Sequence, residues 1–349
     1  MRAPARRQIV SSALWLVGIW LVIAEAAPRA LTAQDKTSAP APVLAEARAL
    51  INEDKPAAAI EKLRAVDAPG RLDVALLLGV AYYHANDHRR AIEHLAPIAD
   101  TLPPGSIEQR EAVQVLGLSY FLAGRFADAV PRLESTREWA ADNVELGYVL
   151  GQAYIQVGQA DRARQAFARV FGVAESSAAA HLLCAQMMIR LESEALAEAA
   201  LKRALELDPR LPQVHALLGQ IALFRGRLDD AVSLTEGEIA ISPGNAMAFY
   251  QLGDARVRQG KTDEGIAALQ KSIWLNPFYS APYIVLGKAY MQKDQLATAE
   301  GMLARAIEYD PNNRSAHYVL GQLLQRMGRV DDAKREFGIA ELLQAQPGR

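Results

Sequence analysis

The chain has 349 residues, 51% hydrophobic and 22% charged, so it has enough apolar side chains for a large core and is not intrinsically disordered. Its formal net charge of -2 at pH 7 gives no electrostatic field that would indicate binding to nucleic acid or to an anionic membrane. The single cysteine, Cys184, has no partner for an internal disulfide, so the fold depends on packing.

The first 33 residues are predicted to be an export signal or a membrane anchor. Arg6 and Arg7 precede an apolar run over residues 9–24, which is typical of a basic segment followed by a hydrophobic core. Ala26 and Ala33 mark two possible signal-peptidase sites. The run is slightly shorter than the about 17 residues that span a bilayer, so an uncleaved inner-membrane tether stays open. Both interpretations place the rest of the chain outside the cytoplasm, in a bacterial periplasm.

Residues 34–40 are predicted to be a flexible spacer, and residues 41–346 a repeat array. The spacer is rich in Ala, Pro, Ser and Thr. Beyond it, a Leu-Gly dipeptide recurs every 34 residues, and we call its glycine the anchor. The anchors are Gly117, Gly151, Gly219, Gly253, Gly287 and Gly321, with Ala185 in the one remaining place and Gly79 upstream.

Other positions repeat with the anchor. A small residue stands twelve positions later, as in Ala299, and a large apolar residue sixteen positions later, as in Leu303. Glycine costs about 1 kcal/mol inside a helix, so its regular return predicts close helix packing, with the anchor facing the small residue and the large residues filling gaps between hairpins. Glycines midway between anchors predict left-handed turns, and a proline closes four successive units. These turn and closing residues are Gly124, Gly158, Gly226, Gly260 and Gly328, and Pro209, Pro243, Pro277 and Pro311.

This pattern resembles the tetratricopeptide repeat family, whose units carry a Leu-Gly on a first helix and then an Ala and a large apolar residue on a second. The resemblance implies an all-α fold, a right-handed superhelical α-solenoid of about nine helical hairpins over residues 41–346. The step from Gly79 to Gly117 is 38 residues rather than 34, with the extra length around Pro103 and Pro104. We therefore expect a longer loop there.

In that family the first helices line a concave groove that binds protein segments, so the resemblance implies a site beside the anchors. Glutamines there offer both donors and acceptors to a peptide backbone, and tyrosines add rigid apolar area with a polar tip. The predicted groove residues lie three before, one after or five after an anchor: Tyr148, Gln152, Gln156, Gln186, Arg190, Gln220, Tyr250, Asp254, Arg258, Lys288, Tyr318, Gln322 and Arg326.

No signature of catalysis accompanies the repeats, and no cofactor or metal is predicted. His84 and His88 have a spacing that suits a metal on one helix, but a predicted turn at Asn86 separates them. Cys184 and the histidines that precede anchors, such as His317, are expected to pack in the core. The sequence therefore predicts a non-enzymatic, exported scaffold that binds an extended or helical protein segment. The alternatives are a membrane-anchored subunit of an envelope assembly, export or polysaccharide machine, and a non-catalytic regulator of a separate enzyme.

Overall fold

The computed structural model describes residues 41–345, so the predicted signal or anchor and the spacer lie outside the described residues. Within that range there are eighteen α-helices, a short 3-10 turn and no β-strand. The helices alternate as first and second members of nine hairpins, which confirms the predicted all-α fold of helical hairpins. No helix of this range is both long enough and apolar enough to cross a bilayer.

The first helices are α1 (Ala41–Asn52), α3 (Leu72–His84), α5 (Ile107–Leu122), α7 (Val144–Gln156), α9 (Ala178–Arg190), α11 (Val214–Phe224), α13 (Ala246–Arg258), α15 (Ser280–Gln292) and α17 (Arg314–Arg326). The second helices are α2 (Pro56–Arg64), α4 (His88–Leu95), α6 (Phe126–Ser135), α8 (Ala160–Val170), α10 (Glu194–Leu207), α12 (Leu228–Ile241), α14 (Thr262–Leu275), α16 (Leu296–Tyr309) and α18 (Val330–Ala345).

The turns inside the hairpins share one backbone conformation. Each of the nine turns has a residue with positive φ, and from Gly124 to Gly328 these residues return every 34 positions. Glycine adopts this left-handed conformation without a side-chain clash, and the predicted turn glycines all do so. Asp54, Asn86, Glu192 and Asp294 adopt it as well, with φ between 56° and 59°.

The ends of the second helices confirm the predicted role of proline. Helices α10, α12, α14 and α16 each end two residues before a proline. The predicted longer loop is also present, because α4 ends at Leu95 and α5 begins only at Ile107.

The described chain divides into two compact units, and the boundary passes through α9. Unit 1 comprises residues 41–176 and 186–193. Its core includes the fully buried Leu63, Leu78 and Leu95. Its first helices α1, α3, α5 and α7 each contact the next one in this series.

Unit 2 comprises residues 177–185 and 194–345. Its buried residues include Leu269 on α14, Leu303 on α16 and Leu323 on α17, all with no exposed surface. The first helices α11, α13, α15 and α17 contact one another in sequence, and each also packs on its own second helix. One side of unit 2 is therefore formed by first helices lying next to each other.

The packing of the anchors agrees with one part of the expectation stated above and differs in another. A Cβ atom added at Gly253 would lie 2.5 Å from Cγ of Leu269 and 3.0 Å from the carbonyl oxygen of Gly265. At Gly287 the nearest atom is again from the large residue sixteen positions later, Leu303, at 2.7 Å. The close approach of the anchor to the small residue, here Gly265, is as expected. The large residues, which were expected to fill the gaps between hairpins, also occupy the space that the anchor leaves open inside a hairpin.

Candidate functional site

Most of the predicted groove residues lie together on the first helices of unit 2. Because these helices are neighbours and the residues recur every 34 positions, they follow one another across a single side of the unit. We call this set the first-helix surface: Gln220, Tyr250, Asp254, Arg258, Lys288, Tyr318, Gln322 and Arg326, on α11, α13, α15 and α17.

The residues directly after the anchors are the most available members of this surface. Gln220, Lys288 and Gln322 are all exposed. Neither glutamine side chain has a hydrogen bond to any residue between 41 and 345, so both side-chain amide groups can bind a ligand. Gln220, Lys288 and Gln322 are three of the four predicted residues that directly follow an anchor in unit 2.

The two arginines of the surface also have a structural role. Arg258 donates from Nη1 to the carbonyl oxygen of Leu223 at 2.8 Å, and Arg326 donates in the same way to that of Met291 at 2.8 Å. Each acceptor lies in the last turn of the preceding first helix, where it also accepts from a backbone N–H of the following turn, that of Gly226 for Leu223 and that of Asp294 for Met291. Arg326 also donates to Oδ1 of Asp294 at 2.6 Å. These arginines therefore join neighbouring hairpins, and part of their hydrogen-bonding capacity is used within the chain.

Asp254 differs from its neighbours because it is half-buried. Burial raises the pKa of its carboxyl group above the ordinary value, and the positive charges of Arg258 and Lys288 partly oppose that rise. The Nη1 atom of Arg258 lies 3.8 Å from Oδ2 of Asp254. The result is an acidic group flanked by two cations in the middle of the first-helix surface.

Aromatic side chains form the apolar part of the surface. The rings of Tyr250 and Tyr279 pack edge to face, with their centroids 5.4 Å apart. The Tyr279 hydroxyl lies 3.1 Å from Sδ of Met247. Burial raises the pKa of both tyrosines, so their hydroxyls stay protonated near neutral pH. Tyr318 is 47% exposed, and its ring packs against that of Phe337 with the centroids 5.6 Å apart. The tyrosines are thus held by packing while one of them faces water.

Phe224 is a member of this surface that the sequence analysis missed. It stands five residues after Gly219, in the place that Arg258 and Arg326 occupy in other units, and it is 78% exposed. In the other hairpins of unit 2 this position is polar, so a phenylalanine with so much contact with water is an informative exception there. The 34-residue register already contained the signal, since an apolar residue breaks a polar row there.

The remaining predicted residues belong to unit 1. Tyr148 is half-buried, with its hydroxyl 3.4 Å from Sδ of Met187 and its ring edge to face with Phe167 at 5.6 Å. Gln152 and Gln186 are half-buried. Gln156 at the end of α7 and Arg190 at the end of α9 are exposed. The structure keeps them on first helices, as predicted.

The residues considered for other chemistry lie as follows. His84 ends α3 and His88 begins α4, so the predicted turn does separate them. Among residues 41–345 no group of three His, Cys, Asp or Glu side chains is placed to hold a metal ion. Cys184 is buried as expected. His317 is also buried, and beyond packing it forms hydrogen bonds with Oε2 of Glu336 at 2.7 Å and with the carbonyl oxygen of Pro311 at 2.9 Å.

Comparison with protein families gives a consistent result over most of the chain. Three family models, each described as tetratricopeptide repeat, match the sequence. The matched segments are residues 120–187 and 290–347 for the first, 44–105 and 191–246 for the second, and 247–278 for the third. No curated protein sequence matches the chain.

Several solved structures are similar to parts of the chain. MamA from Desulfovibrio magneticus is 22% identical, with 49% of this chain and 97% of that one covered and a TM-score of 0.42. A thermophilic tetratricopeptide repeat protein of Thermus thermophilus is 22% identical, with 47% and 90% covered and a TM-score of 0.43. The anaphase-promoting complex assembly Cut9–Hcn1 is 17% identical, with 81% and 55% covered and a TM-score of 0.44.

Proposed function

The chain belongs to the tetratricopeptide repeat family, whose members typically serve as protein-interaction scaffolds, and from that premise we propose that it is an exported adaptor that binds a protein segment on the first-helix surface of unit 2. The partner is an extended or helical segment. The proposed role is binding without catalysis, so substrate turnover by the purified chain would contradict it.

The observation that carries the proposal is the coexistence of free amide groups and an exposed aromatic ring on one surface. Gln220 and Gln322 can each donate to and accept from a peptide backbone. Phe224 is 78% exposed, so covering it with an apolar side chain of a partner removes a large apolar area from water. Lys288 and Arg258 outnumber Asp254 among the charges nearby, which favours a segment that carries an acidic group.

Site-specific photocrosslinking in intact cells tests this proposal. A photoreactive amino acid at position 224 or 220 should capture the same partner protein. The matched control is position 274, because Trp274 is an equally exposed aromatic residue, at 71%, but lies on the second helix α14. Capture at 224 and 220 but not at 274 supports the proposal. Equal capture at all three positions, or none at 224, contradicts it.

The proposed location is outside the cytoplasm, either free in the periplasm or tethered to the inner membrane. The support is the basic segment and the apolar run over residues 9–24. Sequencing the N-terminus of the native protein distinguishes the two forms. A start near Gln34 favours a cleaved signal, whereas a retained Met1 favours the membrane-anchored subunit of an envelope machine. Recovery of the chain in the cytoplasm contradicts both.

A further inference from the structure

The first-helix surface of unit 2 has three levels, one for each turn of α13. Tyr250, Asp254 and Arg258 are four residues apart, so they lie on one face of α13 at intervals of about 6 Å along the helix axis. Neighbouring elements add contacts at the first and third of these intervals. The ring of Tyr279 packs against that of Tyr250, and the carbonyl group of Leu223 accepts a hydrogen bond from Arg258. We call these the upper, middle and lower levels, in chain order along α13.

The upper and lower levels both expose apolar side chains. At the upper level, Met247 is 44% exposed and lies against the hydroxyl of Tyr279, whose ring packs on Tyr250. At the lower level, Phe224 is 78% exposed and stands five residues after its anchor, as Arg258 does after its own. Both levels therefore favour contact with an apolar side chain of a ligand, because covering them removes apolar area from water.

The middle level presents positive charge to a ligand. Lys288 on α15 stands directly after its anchor, as Asp254 does on α13, and it is exposed. It forms no ion pair with any residue from 41 to 345. The negative charge of Asp254 lies deeper, because its side chain is 24% exposed whereas that of Arg258 is 40% exposed. A ligand therefore meets the two cations before the carboxylate, and an acidic side chain suits this level best.

The spacing of the levels favours an extended ligand over a helical one. In an extended chain, residues i, i+2 and i+4 point to one side at intervals of about 6.6 Å, close to the interval of about 6 Å between levels. In an α-helix the matching residues are i, i+4 and i+8, and the third is rotated by about 80° from the first around the helix axis. An extended backbone also offers free N–H and C=O groups to the side-chain amide of Gln220, which is at the middle level on α11.

We propose that the partner segment binds this surface in extended form and carries an apolar, an acidic and an apolar residue at positions i, i+2 and i+4. The two apolar residues contact the upper and lower levels, in either chain direction, and the acidic side chain binds Lys288 and Arg258 between them. This inference rests on the proposed function, because it describes the partner of the same surface. Peptides and variants of the chain test it.

Fluorescence anisotropy with synthetic peptides tests the order and the conformation. The probe is a labelled peptide with the core Leu-Ser-Glu-Ser-Leu, titrated with the purified full chain in mild detergent. One control peptide has the core Leu-Glu-Ser-Ser-Leu, a second has lysine in place of glutamate, and a third is an alanine-rich helix with the same three residues at i, i+4 and i+8. We expect the probe to bind at least ten times more tightly than each control. Absence of probe binding, or a control peptide that binds as tightly, overturns the proposal.

Variants of the chain test where the probe binds. Lys288→Glu should weaken probe binding at least tenfold and make the lysine peptide the tighter ligand, because the charges are exchanged. Met247→Ser should weaken the probe at least threefold, whereas Trp274→Ala on α14 should leave its dissociation constant unchanged. Circular dichroism checks that the helix content of each variant is that of the parent chain. Probe binding that is insensitive to Lys288→Glu overturns the proposed order. The proposed function then still stands if photocrosslinking at positions 224 and 220 captures a partner, and fails with it if position 224 captures none.

Discussion

Replacing Gly265 by alanine separates close helix packing from helix propensity, which act in opposite directions at this residue. Gly265 lies in α14 and faces α13. An added Cβ atom would lie 2.5 Å from Cγ2 of Val257, 2.9 Å from the carbonyl oxygen of Gly253 and 3.0 Å from the amide nitrogen of Val257. The last two atoms belong to the backbone and cannot rotate away, so α13 and α14 have to move apart.

The size of the effect follows from these distances. Carbon atoms pack best at about 3.5–4.0 Å, so the methyl group would overlap Val257 by about 1 Å. Overpacking of this kind costs about 1–3 kcal/mol, and the better helix propensity of alanine returns about 1 kcal/mol. We expect Gly265→Ala to lower the free energy of unfolding by about 1–2 kcal/mol.

Gly301→Ala is the matched control. Gly301 also lies inside a second helix, α16, but an added Cβ atom there meets nothing within 4 Å. Only the propensity term remains, and we expect a gain of about 0.5–1 kcal/mol. Guanidinium denaturation followed by circular dichroism measures both variants. If Gly265→Ala proves as stable as Gly301→Ala, the close contact of α13 and α14 is not the reason for the glycine.

Three further substitutions act on one turn residue, Glu192, and on two carboxylates, those of Glu198 and Asp254. Glu192→Gly should raise the free energy of unfolding by about 1 kcal/mol in denaturation experiments, because Glu192 has a φ of 56° that glycine adopts without strain. Glu198→Gln should lower it by about 1–3 kcal/mol at pH 7, since buried Glu198 accepts hydrogen bonds from Arg225 at 2.5 Å and Arg227 at 3.0 Å. Hydrogen bonding, first of all with Lys202, lowers the pKa of Glu198, so this loss should shrink as the pH falls below about 4.5 and the carboxyl group is protonated. Asp254→Asn should have the opposite sign, because burial raises the pKa of Asp254 and its ionised form opposes folding. Its stabilising effect at pH 7 should fade as the pH drops through that raised pKa.

Outcomes that contradict these predictions are equally specific. Strain at the turn is excluded if Glu192→Gly is less stable than the parent chain while Gly158→Ala, at an equivalent turn with φ of 76°, is more stable. Pairing of Glu198 is excluded if Glu198→Gln has the same stability relative to the parent at pH 7 and pH 4. Burial of the Asp254 charge is excluded if Asp254→Asn destabilises the chain at pH 7 and the loss disappears at low pH.

The helical hairpins and their turns could be predicted from the sequence because their signals are local. A glycine that must take positive φ, a proline that ends a helix and a 34-residue return of Leu-Gly each act within one hairpin. Gly226 and Pro243 are examples, and both occupy the predicted places. Contacts between side chains were harder to predict from the sequence, because they depend on how far each side chain extends. The packing of Leu269 against Gly253 was missed for this reason.

For the candidate site, too, the positions of residues could be predicted from the sequence, whereas contacts between hairpins could not. The register placed Gln220 and Gln322 on one side of the first helices, since residues 34 positions apart occupy equivalent places. It could not reveal that Arg258 reaches back to the carbonyl group of Leu223, because that contact depends on the relative position of two hairpins. Phe224 was overlooked because that row was read as polar, although its side chain has the largest exposed fraction of the big apolar residues that the structure describes.

The most direct test of the central claim is the affinity of the captured partner for the purified chain and its variants. We predict that Gln220→Ala combined with Phe224→Ala weakens binding at least tenfold, which corresponds to about 1.4 kcal/mol. Trp274→Ala should leave the dissociation constant unchanged, because Trp274 is 71% exposed on α14, away from the first helices. Circular dichroism should be the same for all variants. A dissociation constant that responds to Trp274→Ala and not to the pair on α11 would show that the partner binds elsewhere.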